Sequence, residues 1–212
     1  MLATLSFLAL ASCCSAHFHL NYPEWRADSL SLDNASQWIW PCANISQTPS
    51  TPRTPWPLTG GSILLNNSHS SALTYINLGL GDEVTTFNTS FIAALNQTAS
   101  GSLCLPSVGG AELAELGVRE GTNASLQVVT VNDQGNSLYN CADITFSGSV
   151  EALGSDRCVN STGVDAVPVE NTEGGGALNA EPPNSGGLPV LSGAQSFVMA
   201  LSVAFLASLV NV

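Results

Sequence analysis

Apolar runs stand at both ends of this chain, and they confine what can fold to the interval between them. Leu2 to Ala11 is a short run of Leu, Ala and Phe with Thr4 and Ser6, followed by the small residues Ser12 to Ala16. A short apolar stretch and then a small-residue zone is the pattern of a secretory signal peptide. The run is shorter than the roughly 20 apolar residues a bilayer crossing needs. Residues 1–16 are therefore expected to be removed, which leaves His17 as the first residue; cleavage after Ser15 also fits. At the other end, Phe197 to Val210 is apolar apart from Ser202 and Ser208, and no basic residue follows. A membrane-spanning anchor would usually carry Lys or Arg there. A spacer, Leu188 to Ser196, and the small cluster Asn184 to Gly187 precede the tail. That order is a GPI-attachment signal. Ser185 is the expected attachment residue, with Asn184 beside it, and residues 188–212 are expected to leave on anchoring. A short single-pass anchor is the alternative.

The interior agrees with export. It contains four cysteines, Cys42, Cys104, Cys141 and Cys158. An even number in a secreted chain suggests two disulfides, and sequence alone allows three pairings. Seven Asn-x-Ser/Thr sequons start at Asn34, Asn44, Asn66, Asn88, Asn96, Asn123 and Asn160. Such a spread suggests a heavily glycosylated surface. Lysine is absent, and four arginines face sixteen acids for a formal charge of −12. That balance excludes nucleic acid as a partner, because phosphate affinity needs basic groups. It also concentrates cations near the surface.

One compositional boundary divides the interior. Residues 17–158 hold every aromatic residue between the two sorting signals, whereas residues 159–187 are Gly, Pro, Asn, Glu and small residues, with Gly174-Gly175-Gly176 and Pro182-Pro183. The second stretch is too poor in apolar groups to offset its ordering entropy, and it is expected to be a disordered stalk. The first is long enough for one sizeable core. Leu73 to Leu80, Ser125 to Val131 and Leu138 to Phe146 are predicted strands, and Asn132 to Asn136 is the hairpin loop between the last two. Ser62 to Leu65 is a further strand after Gly60-Gly61. Ala111 to Leu116 is a short predicted helix. Many short strands separated by turns indicate an all-β, two-sheet sandwich.

The histidines carry the chemistry. They are His17, His19 and His69. An N-terminal histidine offers its α-amine and ring Nδ1 as a chelate, and a second imidazole opposite completes three nitrogens, a histidine brace. Tetragonal nitrogen coordination favours Cu(II). A competing arrangement is His17-Phe18-His19, which can wrap Cu(II) with the amine, two deprotonated amides and the His19 ring. In a folded strand those amides would be committed to the sheet, which favours the brace. By themselves the residues also leave open a glycosylated domain whose histidines bind nothing.

Several motifs combine. They are His17-Phe18-x-Leu20-x-Tyr22-Pro23, Trp40-Pro41-Cys42, Trp56-Pro57-Leu58-x-Gly60-Gly61, and His69 before the strand Tyr75 to Gly81. Gly121-Thr122-Asn123-Ala124 and Cys141-Ala142-Asp143-Ile144 follow. Together they resemble the fungal LPMO-like copper-binding proteins of the copper acquisition factor family, over most of His17 to Phe146. The resemblance implies an immunoglobulin-like, LPMO-like β-sandwich with short helical segments. It implies copper held by His17, His69 and a carboxylate, a GPI anchor at the outer cell surface or cell wall, and copper handling without sugar oxidation. Asp143 is the expected carboxylate, with Asp133 as the alternative in a loop expected to be mobile. Ser70 after His69, where many relatives would carry an acid, and His19 depart from the family pattern. Cys42–Cys141 and Cys104–Cys158 are the expected disulfides, a pairing the residues do not dictate. The tryptophans Trp25, Trp38, Trp40 and Trp56 are expected to pack among core and loops.

Three functions stay in view: a copper protein that buffers the ion or passes it to an uptake system, a copper-dependent polysaccharide monooxygenase, and a structural glycosylated wall protein. No hydrolase arrangement is visible, and the chain is not expected to be an enzyme. A glycan at Asn66, three residues before His69, would hinder docking on a flat polymer.

Overall fold

The computed structural model describes residues 17–169. The expected signal peptide, residues 170–187 of the expected stalk, and the attachment signal with Ser185 lie outside the described residues.

Alternation builds the strands. In β4 (Ala72–Leu80) the side chains of Ala72, Thr74, Ile76 and Leu78 are buried, and the residues between them are half-buried up to Asn77. β7 (Asn123–Asn132) and β8 (Ser137–Ser147) form the expected hairpin, Ser125 opposite Asp143 and Val131 opposite Ser137. The other strands are β1 (Phe18–Tyr22), β2 (Thr54–Pro57), β3 (Gly61–Asn67), β5 (Thr89–Gln97), β6 (Gly101–Val108) and β9 (Ala166–Pro168). One sheet has the order β1-β3-β6 and the other β2-β8-β7-β4-β5-β9, so the architecture is a two-sheet sandwich. All pairs are antiparallel except β2 on β8. The helix α1 (Gly110–Leu116) sends Leu113 into the core.

The core joins both sheets. Phe18, Leu20, Ile63, Leu65 and Leu103 of the small sheet pack with Ile76, Leu78, Leu126, Val128, Ile144 and Phe146 of the large one. Trp56 of β2 is fully buried and stacks on Tyr22, with ring centroids 6.2 Å apart. The glycine at Gly61 is required by this packing, since a Cβ there would lie 2.7 Å from the Trp56 ring.

Both disulfides match the expected pairing, Cys42–Cys141 and Cys104–Cys158. The first fastens the long segment between β1 and β2 to the outer face of β8. That cover explains why both faces of β8 are buried: Leu138, Ala142, Ile144 and Phe146 face the sandwich core, while Cys141 and Asp143 lie under the loop.

The ordered domain extends past the expected boundary at Cys158. Ser161 N–H donates to Ser102 O at 2.8 Å, and Asn160 Oδ1 accepts from Cys104 N–H at 2.8 Å. These contacts cover the free edge of β6. Val164 enters the core, and β9 then pairs with β5 at Leu95 to Gln97. Residues 159–169 are therefore part of the domain although their composition is stalk-like. They are ordered because they satisfy two strand edges, a property that composition does not register. A chain ending at Cys158 is expected to lose roughly 2–4 kcal/mol relative to one ending at Val169, the lost edge hydrogen bonds and Val164 burial being offset in large part by the ordering entropy of the removed residues. Urea denaturation of the two chains, with size-exclusion chromatography to detect association through the bared edges, checks this.

Candidate metal site and its surroundings

The N-terminal strand is held by polar side chains as well as by the sheet. Phe18 pairs with Asn67 of β3, and on its other edge its N–H donates to Gln37 Oε1 at 3.1 Å. Its carbonyl accepts from Gln37 Nε2 at 2.7 Å and from Asn140 Nδ2 at 3.2 Å. Ser29 joins this network, donating to Asn140 Oδ1 at 2.8 Å and accepting from Gln37 Nε2 at 3.0 Å. Gln37, Ser29 and Asn140 are all at least nine-tenths buried. Gln37 thus supplies the donor and acceptor that a neighbouring strand would have supplied. Nothing in the sequence marked it for this role.

Ser68 ties the two outer histidines together. Its N–H donates to His17 O at 3.2 Å and its hydroxyl to the same oxygen at 2.8 Å, while His17 N–H donates to Ser68 Oγ at 3.1 Å. His69 is the next residue, and its N–H donates to Asn67 Oδ1 at 3.0 Å. His17 and His69 are therefore brought to the same end of the sandwich, both half-buried. The Nε2 atom of His69 is screened from solvent and has no hydrogen-bond partner within the protein. A neutral imidazole nitrogen in that condition suits a metal ion.

His19 is placed differently. It is exposed on β1, paired opposite Asn66, and its ring centroid lies 4.9 Å from that of Trp25. The Ser68-to-His17 bond makes residues 17 and 68 a hydrogen-bonded pair, so the next such pair is His19 with Asn66. The amides of both Phe18 and His19 are thereby engaged. Asp28 is influenced by the same surface: the Ser31 hydroxyl, then the Leu30 amide, hold its carboxyl below the usual carboxylate range, and the charge of His19 adds to this.

Asp143 does not join the histidines. Its side chain leaves β8 on the outer face, under the covering loop, and is fully buried. Arg26 grips it with two bonds, Nε to Oδ2 at 2.7 Å and Nη2 to Oδ1 at 3.0 Å. Ser125 Oγ and Gln47 Nε2 donate to Oδ1, each at 2.5 Å. Arg26 in turn donates to Ile45 O at 2.8 Å. The large sheet itself stands between this carboxylate and the sandwich interior that β1 faces. Reading Asp143 as the carboxylate beside His17 and His69 is corrected accordingly: it is the anion of a buried ion pair.

Asp133 lies at the histidine end. β4 begins at Ala72, three residues after His69, and Ala72 pairs with Asn132. Asp133 follows, exposed, in a turn tied by Asn132 Oδ1, which accepts from Gln134 N–H at 3.1 Å and Asn136 N–H at 2.8 Å. Among the described residues, no three of His, Cys, Asp or Glu sit close enough together to hold a metal, so His17, His69 and Asp133 share an end without forming a closed set.

The other expected residues divide by exposure. Asn34, Asn44, Asn66, Asn88 and Asn160 are exposed, whereas Asn96 and Asn123 are half-buried on strands. Asn123 Nδ2 is occupied by Asp82 at 2.7 Å. The tryptophans also split. Trp56 is core and Trp25 is half-buried, but Trp38 and Trp40 are 50% and 57% exposed, contrary to the expectation that all four pack. The covering loop turns outward at these two positions, because its inward contacts are made by Gln37, Cys42 and Ala43.

Removing the charge at Asp143 tests its structural role. Asp143→Asn leaves the Arg26 guanidinium buried without its counter-charge, and a loss of about 3–5 kcal/mol is expected in denaturant titration. The metal-to-protein ratio of the folded fraction, measured by elemental analysis, is expected to be unchanged.

Comparison with known proteins identifies the family. Residues 15–163 match the family model described as copper acquisition factor BIM1-like. A lytic polysaccharide monooxygenase-like protein, ham-7, of Neurospora crassa is 34% identical over 191 residues, covering 78% of this chain and 80% of the relative. A lytic polysaccharide monooxygenase-like protein X325 of Aspergillus fumigatus is 31% identical, covering 76% and 79%. Copper acquisition factor BIM1 of Cryptococcus neoformans is more distant, 25% identical over 71% of this chain and 69% of the relative. With a family match over residues 15–163 and relatives above 30% identity across most of both chains, the chain belongs to the BIM1-like copper acquisition factor family.

Proposed function

We propose that the mature chain begins at His17 and binds Cu(II) as cargo, at the outer cell surface, through a brace of His17 and His69. The observation that carries this reading is the Ser68 bridge. It fixes the backbone of His17 against the residue preceding His69, at one end of the sandwich, while His69 Nε2 is left without a protein partner. Once residues 1–16 are removed, the His17 nitrogen becomes an amine, and amine plus Nδ1 chelate the ion. Asp133 is the proposed carboxylate, because the register of β4 and β7 places its turn beside the His69 segment. A hard anionic oxygen favours Cu(II) over Cu(I), which suits holding and passing the ion more than redox cycling. Chelation by the tripeptide His17-Phe18-His19 is disfavoured, since it would strip Phe18 N–H from Gln37 and His19 from the β1–β3 ladder. The family membership supports copper as the ligand. Export, glycosylation and a GPI anchor at Ser185 rest on the sequence signals, and delivery to an uptake system follows from a surface position. We do not assign an enzymatic activity.

Copper affinity of the chain starting at His17 is the decisive measurement. His69→Ala is expected to weaken Cu(II) binding by on the order of 100-fold, more than an outer contact would. A chain retaining Ala16, in which the His17 nitrogen is an amide, is expected to weaken it at least as much. Affinity should rise with pH through about 7.7–8.0 and level off above, because the amine must be deprotonated to bind. Equal tight binding by the His69→Ala variant would move the site to the tripeptide. No stoichiometric binding would return the chain to a structural wall role. Reductant-dependent release of oxidised sugars would make it an oxygenase.

A further inference from the structure

Six buried side-chain atoms among the described residues find no hydrogen-bond partner within the protein, and five of them belong to residues that the strand register puts at the histidine end. They are Asn67 Nδ2, His69 Nε2, Thr74 Oγ1, Gln97 Oε1 and Thr130 Oγ1. Thr74 and Thr130 are direct cross-strand partners, 0% and 1% exposed, on the inner face of the large sheet. Gln97 pairs with Ala72, two residues before Thr74, and its Nε2 reaches Ala99 O at 2.6 Å and Gly101 O at 3.3 Å. Gly101 is the register partner of Asn67, the last residue of β3. Asn67 Oδ1 holds the His69 amide. The amide orientations are set by these bonds: Asn67 spends its oxygen on His69 and Gln97 its nitrogen on two carbonyls, so the idle atoms are one donor and one acceptor.

Buried polar atoms are almost always paired, and each exception asks for a cause. Apart from the His69 nitrogen, which the brace reading gives to copper, a donor, an acceptor and two hydroxyls form a lining that neither a bare cation nor an anion would match. A molecule that both donates and accepts matches it, and a buried water needs two to four such partners. We infer that Asn67, Thr74, Gln97 and Thr130 enclose a hydrated pocket behind the His69 segment, and that the water held there fixes Asn67 and, through its bond to the His69 amide, the position of His69. Asn67 links the two, bonding the His69 backbone with one atom and facing the pocket with the other. These four are positioning residues. Only the consequence for copper rests on the brace reading; the pocket and its effect on the His69 ring do not.

The test uses the chain from His17 to Val169, metal-free and then loaded with Cu(II). Water-to-amide cross-relaxation by NMR is expected at Thr74 and Thr130 of the parent, marking long-lived water. The pair Thr74→Val and Thr130→Val keeps shape and removes both hydroxyls. It is expected to abolish those signals, shift the His69 ring 15N resonances, and weaken Cu(II) binding about tenfold. Thr74→Ser with Thr130→Ser restores all three. Absence of bound-water signals in the parent overturns the proposal without any variant. Unchanged His69 15N resonances in the valine pair, with raised thermal stability, overturn it too, since the hydroxyls would then be dry and idle. If the parent fails to bind copper while the valine pair still shifts His69, the brace falls and the pocket stands.

Discussion

A guanidinium and a carboxylate sealed under a loop set the terms for this fold. Arg26 and Asp143 are 8% and 0% exposed, and each would carry a penalty of several kcal/mol if buried without the other. Their bonds to Ser125, Gln47 and the Ile45 carbonyl therefore have to form together. The consequence is that residues between β1 and β2 cannot behave as an ordinary loop. Arg26 N–H also bonds Cys141 O at 2.7 Å, Trp25 bridges Ala142, and Cys42 is bonded covalently to Cys141. The segment is pinned to β8 by charge, by backbone and by sulfur within a few residues. Gln37 rides on that segment and clasps Phe18, so the orientation of the first strand, and of His17 ahead of it, descends from the same lock.

A second theme is how the sheet edges are finished. A strand edge presents unpaired N–H and C=O groups, which must be satisfied or shielded. Here irregular chain does most of that. The edge of β8 is met in turn by Gln37 at Tyr139, by Trp25 and Arg26 at Cys141 and Ala142, and by β2 from Ile144 onward. β2 then closes the sheet with Pro55 and Pro57, which have no N–H to offer. The edge of β6 is covered by Asn160 and Ser161, and that of β5 by β9. Capping of this kind leaves His17 and His69 at one end of a frame whose strand edges are closed.

The strands that sequence reasoning found are those that carry their own signal. β4 alternates, β7 and β8 are long and rich in apolar and β-branched residues, and the Asn132 to Asn136 turn separates the last two. β3 is legible from the Gly60-Gly61 turn ahead of it, and α1 from a short run of helix formers. β5 was missed because Ala93-Ala94-Leu95 interrupts a strand-like pattern with good helix formers. β2 is half proline, and β9 is three residues inside a stalk-like composition. These two exist only because an edge was waiting for them. The same logic explains Asp143. An acid inside Cys141-Ala142-Asp143 is visible as an acid, but its partner Arg26 is 117 positions away in the chain. Ser68, Gln37 and the paired threonines Thr74 and Thr130 were equally silent, since their roles depend on register.

What the sequence determined by itself is what depends on local pattern and chemical inventory. That covers the all-β class, the main hairpin, the family, the two histidines available to a metal, and the even set of cysteines. The tertiary structure decided everything that depends on which side of a sheet a residue faces and what lies across from it. It removed Asp143 from the histidines, brought the Asp133 turn to their end, extended the domain to residue 169, and left four idle polar atoms on residues near the His69 segment. The reason is geometric. A side chain's chemistry is written at its own position, but its partner is chosen by the folding of distant strands, and a step of one residue along a strand exchanges one face for the other.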